Sequence, residues 1–225
     1  EIREEGLQHP ILILGVVPSE TVNLAKEHDI RLTVASLAWL DQLLGEEADL
    51  SGLKVHIKVD TGMSRLGYLV DEKHFDTGTA DICAACDLPG LRAEGIFTHF
   101  SVSDEPDADS RAYTERQLAL FRRVIAAVEE KRGQRFAIRH CANSGAVLSW
   151  RDKGAALDLV RPGLLTYGVY PDSERGGLSL TPVMALKSRV SAITHHKKGD
   201  SISYGRLWTA ERDCTLAVLP VGYAD

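Results

Sequence analysis

The residues with chemical potential in this sequence gather where short apolar runs end. Asp60 closes the run Val55 to Val59 and opens the loop Thr61-Gly62-Met63-Ser64-Arg65-Leu66-Gly67; Thr98-His99, Asn143-Ser144-Gly145 and Arg161-Pro162-Gly163 end later runs in the same way. Polar side chains meeting where water is excluded need partners, so their convergence marks a candidate site. Arg161 is a fixed cation with a fork of donors, suited to a carboxylate or a ring nitrogen. Ser144 offers a hydroxyl, and Gly145 and Gly163 allow close backbone approach. Asn143-Ser144-Gly145 and Arg161-Pro162-Gly163 together have the form of a phosphate site made of loop amides and a helix N-terminus, although ordinary turns read the same way. Lys58 alternates with Ile57 and Val59, so a buried ammonium there must find an anion, be modified or lose its charge. Arg65 suits either bidentate capture of a substrate carboxylate or a surface ion pair. His99 is a candidate acid, base or relay.

Two tyrosines compete as a proton carrier. Tyr223 follows an apolar run near the end of the sequence, and Tyr204 lies in Ser203-Tyr204-Gly205. A phenol titrates near ~10, so either needs cationic neighbours to act as a base near neutrality, and either could be a packing residue. No metal spacing is present: His195 and His196 are adjacent and project oppositely on a strand, and Cys83-x-x-Cys86 has no second ligand pair. Four cysteines in 225 residues make no disulfide framework, which points to a reducing, cytoplasmic compartment. With 32 acidic against 26 basic residues the formal charge is −6, and no basic block favours nucleic acid. The run Ile11 to Val17 is far short of the ~20 residues a membrane helix needs, so this segment is expected to make no membrane contact.

The elements that must hold these residues follow from periodicity. Six short β-branched runs, Ile11 to Val16, Leu32 to Ala35, Val55 to Val59, Gly95 to Phe100, Phe136 to His140 and Leu157 to Val160, read as buried parallel strands. Helical patterns separate them. Leu118, Phe121, Ile125 and Val128 recur at three and four residues before a stop at Gly133, and Ser36 caps a helix that places Trp39, Leu40, Leu43 and Leu44 on one face. The class is α/β. The alternation predicts a partial (β/α)₈ TIM-type barrel of about six of eight units, since a complete one takes ~250 residues. Glu1 to Leu7 reads as the end of a helix, and the absence of an initiator methionine marks a fragment. Beyond Pro171 the helices stop. Val183 to Val190, Ser191 to His195, Ser201 to Tyr204 and Thr215 to Val221 are strand-like, so residues 1–172 form the partial barrel and 173–225 begin an all-β C-terminal domain.

Taken in order, Lys58-Val59-Asp60-Thr61-Gly62-Met63-Ser64-Arg65-Leu66-Gly67, Gly95-Ile96-Phe97-Thr98-His99-Phe100, Asn143-Ser144, Arg161-Pro162-Gly163 with Tyr167-Gly168, Ser203-Tyr204-Gly205 and Gly222-Tyr223-Ala224-Asp225 resemble the alanine racemase family over essentially the whole chain. The resemblance implies an amino-acid isomerase that interconverts L- and D-alanine by two-base proton transfer at Cα on pyridoxal 5′-phosphate (PLP), supplying D-alanine for the cell wall. It also implies a head-to-tail homodimer with shared active sites. By the same match Arg161 hydrogen-bonds the pyridine nitrogen, Ser144 and the Gly163 amide contact the phosphate with Asn143 beside them, and Arg65 meets the substrate carboxylate. Lys58 matches a lysine that the family commonly carbamylates, whose negative carbamate would hold Arg65. Tyr223 matches the catalytic tyrosine on the L face, supplied by the partner subunit, and His99 links it to Arg161 in a cationic network that lowers the phenol's pKa. The Schiff-base lysine that serves the family's D face is absent from this sequence, so the fragment alone is expected to be inactive. Three other readings stay open: a racemase for serine or basic amino acids, a decarboxylase of the same barrel type, for which no glycine triplet is found, and a non-catalytic PLP-binding protein.

Overall fold

The computed structural model describes residues 1–171 and 176–223, grouped in two compact units, Glu1–Thr181 and Pro182–Asp225. The expected boundary between 172 and 173, and the Ala224-Asp225 end of the last motif, lie outside the described residues.

In the first unit the elements run β1 (Ile11–Leu12), α1 (Thr21–Glu27), β2 (Ile30–Val34), α2 (Leu37–Gly45), β3 (Lys54–Asp60), β4 (Tyr68–Leu69), α3 (Phe75–Cys86), β5 (Arg92–Phe97), α4 (Ala108–Arg132), β6 (Ile138–His140), α5 (Ser144–Ser149) and α6 (Gly163–Thr166). The main sheet has the order β1-β2-β3-β5-β6, with every pair parallel and short β4 paired to β3. Sheet neighbours follow chain order without a reversal, which is the winding of a barrel rather than of a doubly wound sheet. The result is a parallel half-barrel.

Period-two alternation in β3 sorts its side chains. Val55, Ile57 and Val59 are fully buried in the hydrophobic core with Ile82, Phe121 and Val124 from α3 and α4. His56, Lys58 and Asp60 occupy the alternate positions and are also buried, so the strand carries its polar residues on the face away from that core. α4 buries Leu118, Phe121, Ile125 and Val128, as its spacing predicts, and starts earlier because the Asp107 carboxylate accepts from the amides of Asp109 and Ser110. Gly133 ends it with φ 62, a left-handed position that favours glycine. Ser36 caps α2 by accepting from Trp39 N at 3.3 Å.

Some expectations need correction. Leu44 is 48 % exposed, because it lies past the edge of the stripe formed by Trp39, Leu40 and Leu43. Glu1 to Leu7 forms isolated turns, such as Glu5 N to Glu1 O at 2.9 Å, with no helix. The run Ile11 to Val16 contributes only Ile11–Leu12 to the ladder, and Leu157 to Val160 contributes one parallel bridge, His140 to Leu159.

The second unit is β-rich. β7 (Ala192–His196) pairs antiparallel with β10 (Cys214–Val218), and β8 (Ser201–Ile202) with β9 (Trp208–Thr209). Tyr204 sits in a 3₁₀ turn, Tyr204–Arg206, instead of a strand. Val183 to Val190 forms no ladder among the described residues, and Met184 and Leu186 are more than four-fifths exposed. No helix among the described residues is long and apolar enough to cross a membrane, and no group of metal-ligating side chains occurs among them.

Candidate active site

Arg161 organises the C-terminal ends of β5 and β6. One terminal nitrogen donates to His140 Nδ1 at 2.6 Å; the other donates to Thr98 O at 2.8 Å and Cys141 O at 3.2 Å and lies 3.3 Å from His99 Nδ1. The guanidinium stands 5.3 Å from the centre of the Phe97 ring, on which His140 stacks with centroids 4.6 Å apart. Burial pushes the Arg161 pKa down to about 10, so the group stays charged at neutral pH. Its Nε–H has no acceptor among the described residues and remains available to a ligand.

An arginine can only donate, and that fixes the tautomers around it. His140 Nδ1 must accept, so its proton is on Nε2, which donates to His56 Nδ1 at 2.8 Å; His56 therefore carries its own proton on Nε2. His99 Nδ1 likewise accepts, which puts its proton on Nε2. Burial, with Arg161 as a further cause in each, pushes His99 and His56 down to about 4 and His140 to about 2. The expected cationic network is therefore a neutral imidazole chain attached to one cation, because desolvation outweighs any neighbouring anion. Gly95 makes the chain possible: a Cβ there would lie 2.5 Å from His56 Nδ1.

Lys58 is 4 % exposed, with its ammonium 5.0 Å from the centre of Phe97 and no ion pair among the described residues. Burial, then Arg161, pushes its pKa down to about 7 despite the attraction of Asp60. Asp60 makes no ion pair with Lys58; its Oδ1 accepts from Gly62 N at 2.9 Å and Ser64 N at 3.0 Å and so shapes the loop. Arg65, one residue further on, is exposed.

Asn143 caps α5. Its Oδ1 accepts from Ala146 N at 3.0 Å and Ser103 Oγ at 2.7 Å, and its Nδ2 donates to Phe100 O at 3.5 Å, so its polar atoms place Ser144 rather than face outward. Ser144 Oγ accepts from Leu165 N at 3.5 Å and ties the starts of α5 and α6 together. Gly163 N donates to Arg161 O at 2.9 Å across Pro162, while a Cβ on Gly163 would meet nothing within 4 Å. His99, Asn143, Ser144, Arg161, Gly163 and Leu164 line one cleft of about 230 Å³.

Both tyrosines belong to the second unit and are exposed, Tyr204 at 90 % and Tyr223 fully. Tyr204 is held by unusual backbone: Ser203 has φ 63 and ψ −171, a region nearly restricted to glycine, and Gly205 and Arg206 also have positive φ. Such strain collects at functional sites. The sequence reading missed His140 and His56. Their signal was present, since His140 ends a strand and His56 shares a face with Lys58, but isolated histidines are most often core residues.

The comparisons agree with this geometry. The family described as "Alanine racemase, N-terminal domain" matches residues 1–171, and "Alanine racemase, C-terminal domain" matches 183–225. An alanine racemase of Desulforamulus reducens is 41% identical over 233 residues, covering all of this chain and 59% of that relative. Among solved structures, the alanine racemase from D-cycloserine producing Streptomyces lavendulae superposes with TM-score 0.78 at 31% identity, and a histidine racemase from Leuconostoc mesenteroides with TM-score 0.73 at 27%; each match covers the whole chain and 58% of the other. The chain thus spans less than two thirds of the proteins it matches, and along that span its half-barrel, β-rich second unit and strand-end cluster identify it as a member of the alanine racemase family.

Proposed function

We propose that this chain is the central part of a PLP-dependent racemase that interconverts L- and D-alanine. The observation that carries the reading is Arg161: a half-buried cation with a spare Nε–H, braced by neutral imidazoles, in the same cleft as the joined starts of two helices. The residues fit the cofactor. Ser144 Oγ–H and the Gly145 and Leu164 amides would hold its phosphate, with open space above Gly163, whose own amide is spent on Arg161 O, and Arg161 would donate to its ring nitrogen. When bound, PLP supplies an electron sink that acidifies the substrate Cα–H. Arg161 keeps its proton, so it would donate a hydrogen bond to the ring nitrogen without protonating it.

The chain's own groups do the rest. Arg65 pairs with the substrate carboxylate. Lys58, with a pKa of about 7, has a large free-amine fraction at neutral pH; the amine adds to carbon dioxide and loses a proton, and the carbamate gives Arg65 a fixed negative partner. A phenolate of the second unit, contributed across a homodimer, takes the Cα proton on the L face and returns it. Backbone strain favours Tyr204 for this role over Tyr223. His99, protonated on Nε2 because Nδ1 accepts from Arg161, would stabilise the phenolate through a neutral relay. Four free cysteines favour a cytoplasmic setting. Similarity to a histidine racemase supports a second reading, a larger or basic amino acid as substrate.

The test joins this chain to the flanking segments its relatives carry, adds PLP, and follows L- and D-alanine in deuterated water. Both enantiomers should converge on an equal mixture labelled at Cα, with kcat/KM higher for alanine than for serine, lysine or histidine. Tyr204→Phe should slow exchange from the L side by roughly 10²-fold or more, and Tyr223→Phe by much less. Release of carbon dioxide would make the protein a decarboxylase, and bound cofactor without exchange would make it a binding protein.

A further inference from the structure

Two side chains of α4, outside the cluster around Arg161, hold together the two segments that carry Arg65 and His99. Gln117 is 1 % exposed. Its Oε1 accepts from Ser101 N at 3.0 Å, and since an amide N–H can only donate, this contact fixes the orientation of the side chain. Nε2 is then directed at Thr61 Oγ1, 3.4 Å away in the Arg65 loop, and at His99 O, 3.3 Å away. Thr61, accepting from Gln117, is free to donate to Thr98 Oγ1 at 2.8 Å, and Thr98 O is the carbonyl that Arg161 grips.

One turn earlier on α4, the Tyr113 hydroxyl donates to Gly62 O at 2.6 Å, and Ser101 Oγ donates to the same oxygen at 3.3 Å. Gly62 has φ 125, and a Cβ there would collide with the Tyr113 hydroxyl. The loop ahead of Arg65 is therefore anchored from three sides, by Asp60, Tyr113 and Ser101, while Gln117 joins its base to the backbone of His99.

We propose that Tyr113 and Gln117 are positioning residues, a latch on α4 that sets the substrate-carboxylate arginine, Arg65, in register with the His99 relay. Tyr113 acts on the loop alone, and Gln117 acts on the loop and on the backbone of His99. The proposal rests on the reading of Arg65 and His99 given above, and two readouts separate the fate of each.

The experiment uses the PLP-loaded, full-length form with Tyr113→Phe, Gln117→Leu and, as a remote control in the buried face of the same helix, Val128→Ala. Kinetics on alanine should show KM raised about tenfold for Tyr113→Phe with kcat nearly unchanged, and both KM raised and kcat lowered about tenfold for Gln117→Leu. Amide hydrogen exchange at Gly62 to Arg65 should quicken in both. Val128→Ala should lower Tm while leaving KM and loop exchange as they were. Unchanged KM and exchange in Tyr113→Phe would overturn the proposal, even where Gln117→Leu fails to fold. So would a control that raises KM as much as the latch variants. Faster loop exchange in both variants of a protein that does not racemise would support the latch and sink the functional reading.

Discussion

Three imidazoles and one amine in the first unit give the protein a defined response to pH. His56, His99 and His140 titrate well below the ordinary imidazole value when folded, so between about pH 6.5 and pH 4 the unfolded chain binds more protons. Their contribution is fully present above pH 6.5 and is lost as the pH falls, with a slope approaching about 1.4 kcal/mol per pH unit for each imidazole. Urea denaturation at a series of pH values should show this loss, and His56→Gln should reduce the slope by about one third. Lys58 acts at the other end. In carbon-dioxide-free buffer, where the amine stays unmodified, its folded pKa of about 7 lies below the unfolded value of 10.5, so stability rises as the pH climbs from 7 toward 10.5, and Lys58→Met should remove that rise. Arg161 beside His99 was legible from strand ends and family resemblance. The neutrality of the imidazoles was not, because charge state follows burial, and burial at His56 depends on a glycine in the next strand, Gly95.

At the scale of elements, local signals in the sequence translated best where one side chain completes one helix end. Ser36 and Gly133 were legible because capping needs only neighbouring residues. Ser36→Ala should cost about 1 kcal/mol by leaving the Trp39 amide without its cap. Gly133→Ala should cost about 1 kcal/mol by forcing a Cβ into a left-handed position. Both are readable as shifts in denaturation midpoint at unchanged slope. Gly95→Ala belongs to another class: its Cβ would meet the buried His56 ring at 2.5 to 2.8 Å. It should destabilise by about 1–3 kcal/mol and also displace the imidazole that braces His140, lowering PLP affinity. Strand lengths were less legible. Ile11 to Val16 and Val183 to Val190 have strand composition, but a ladder needs a partner in register, which composition does not specify.

For the whole molecule, a parallel sheet in chain order brings four distant segments, around residues 60, 98, 143 and 161, to one end of a half-barrel. This convergence was legible because barrels place function at the strand ends that face the loops. The second unit was legible as β-rich, but its strand bounds were only partly so. Two tyrosines carry similar surroundings in sequence, and the structure tells them apart by the left-handed backbone at Ser203 beside Tyr204, which no residue type announces.

The central claim is that a permanently charged Arg161, held by neutral imidazoles, faces the cofactor's ring nitrogen. Nitrogen NMR of isotopically labelled PLP in the full-length protein tests it. The account predicts an unprotonated pyridine nitrogen throughout the neutral pH range, and a protonated one when Arg161→Glu replaces the donor with a carboxylate. A pyridinium signal in the unaltered protein, or identical signals from both proteins, would contradict it.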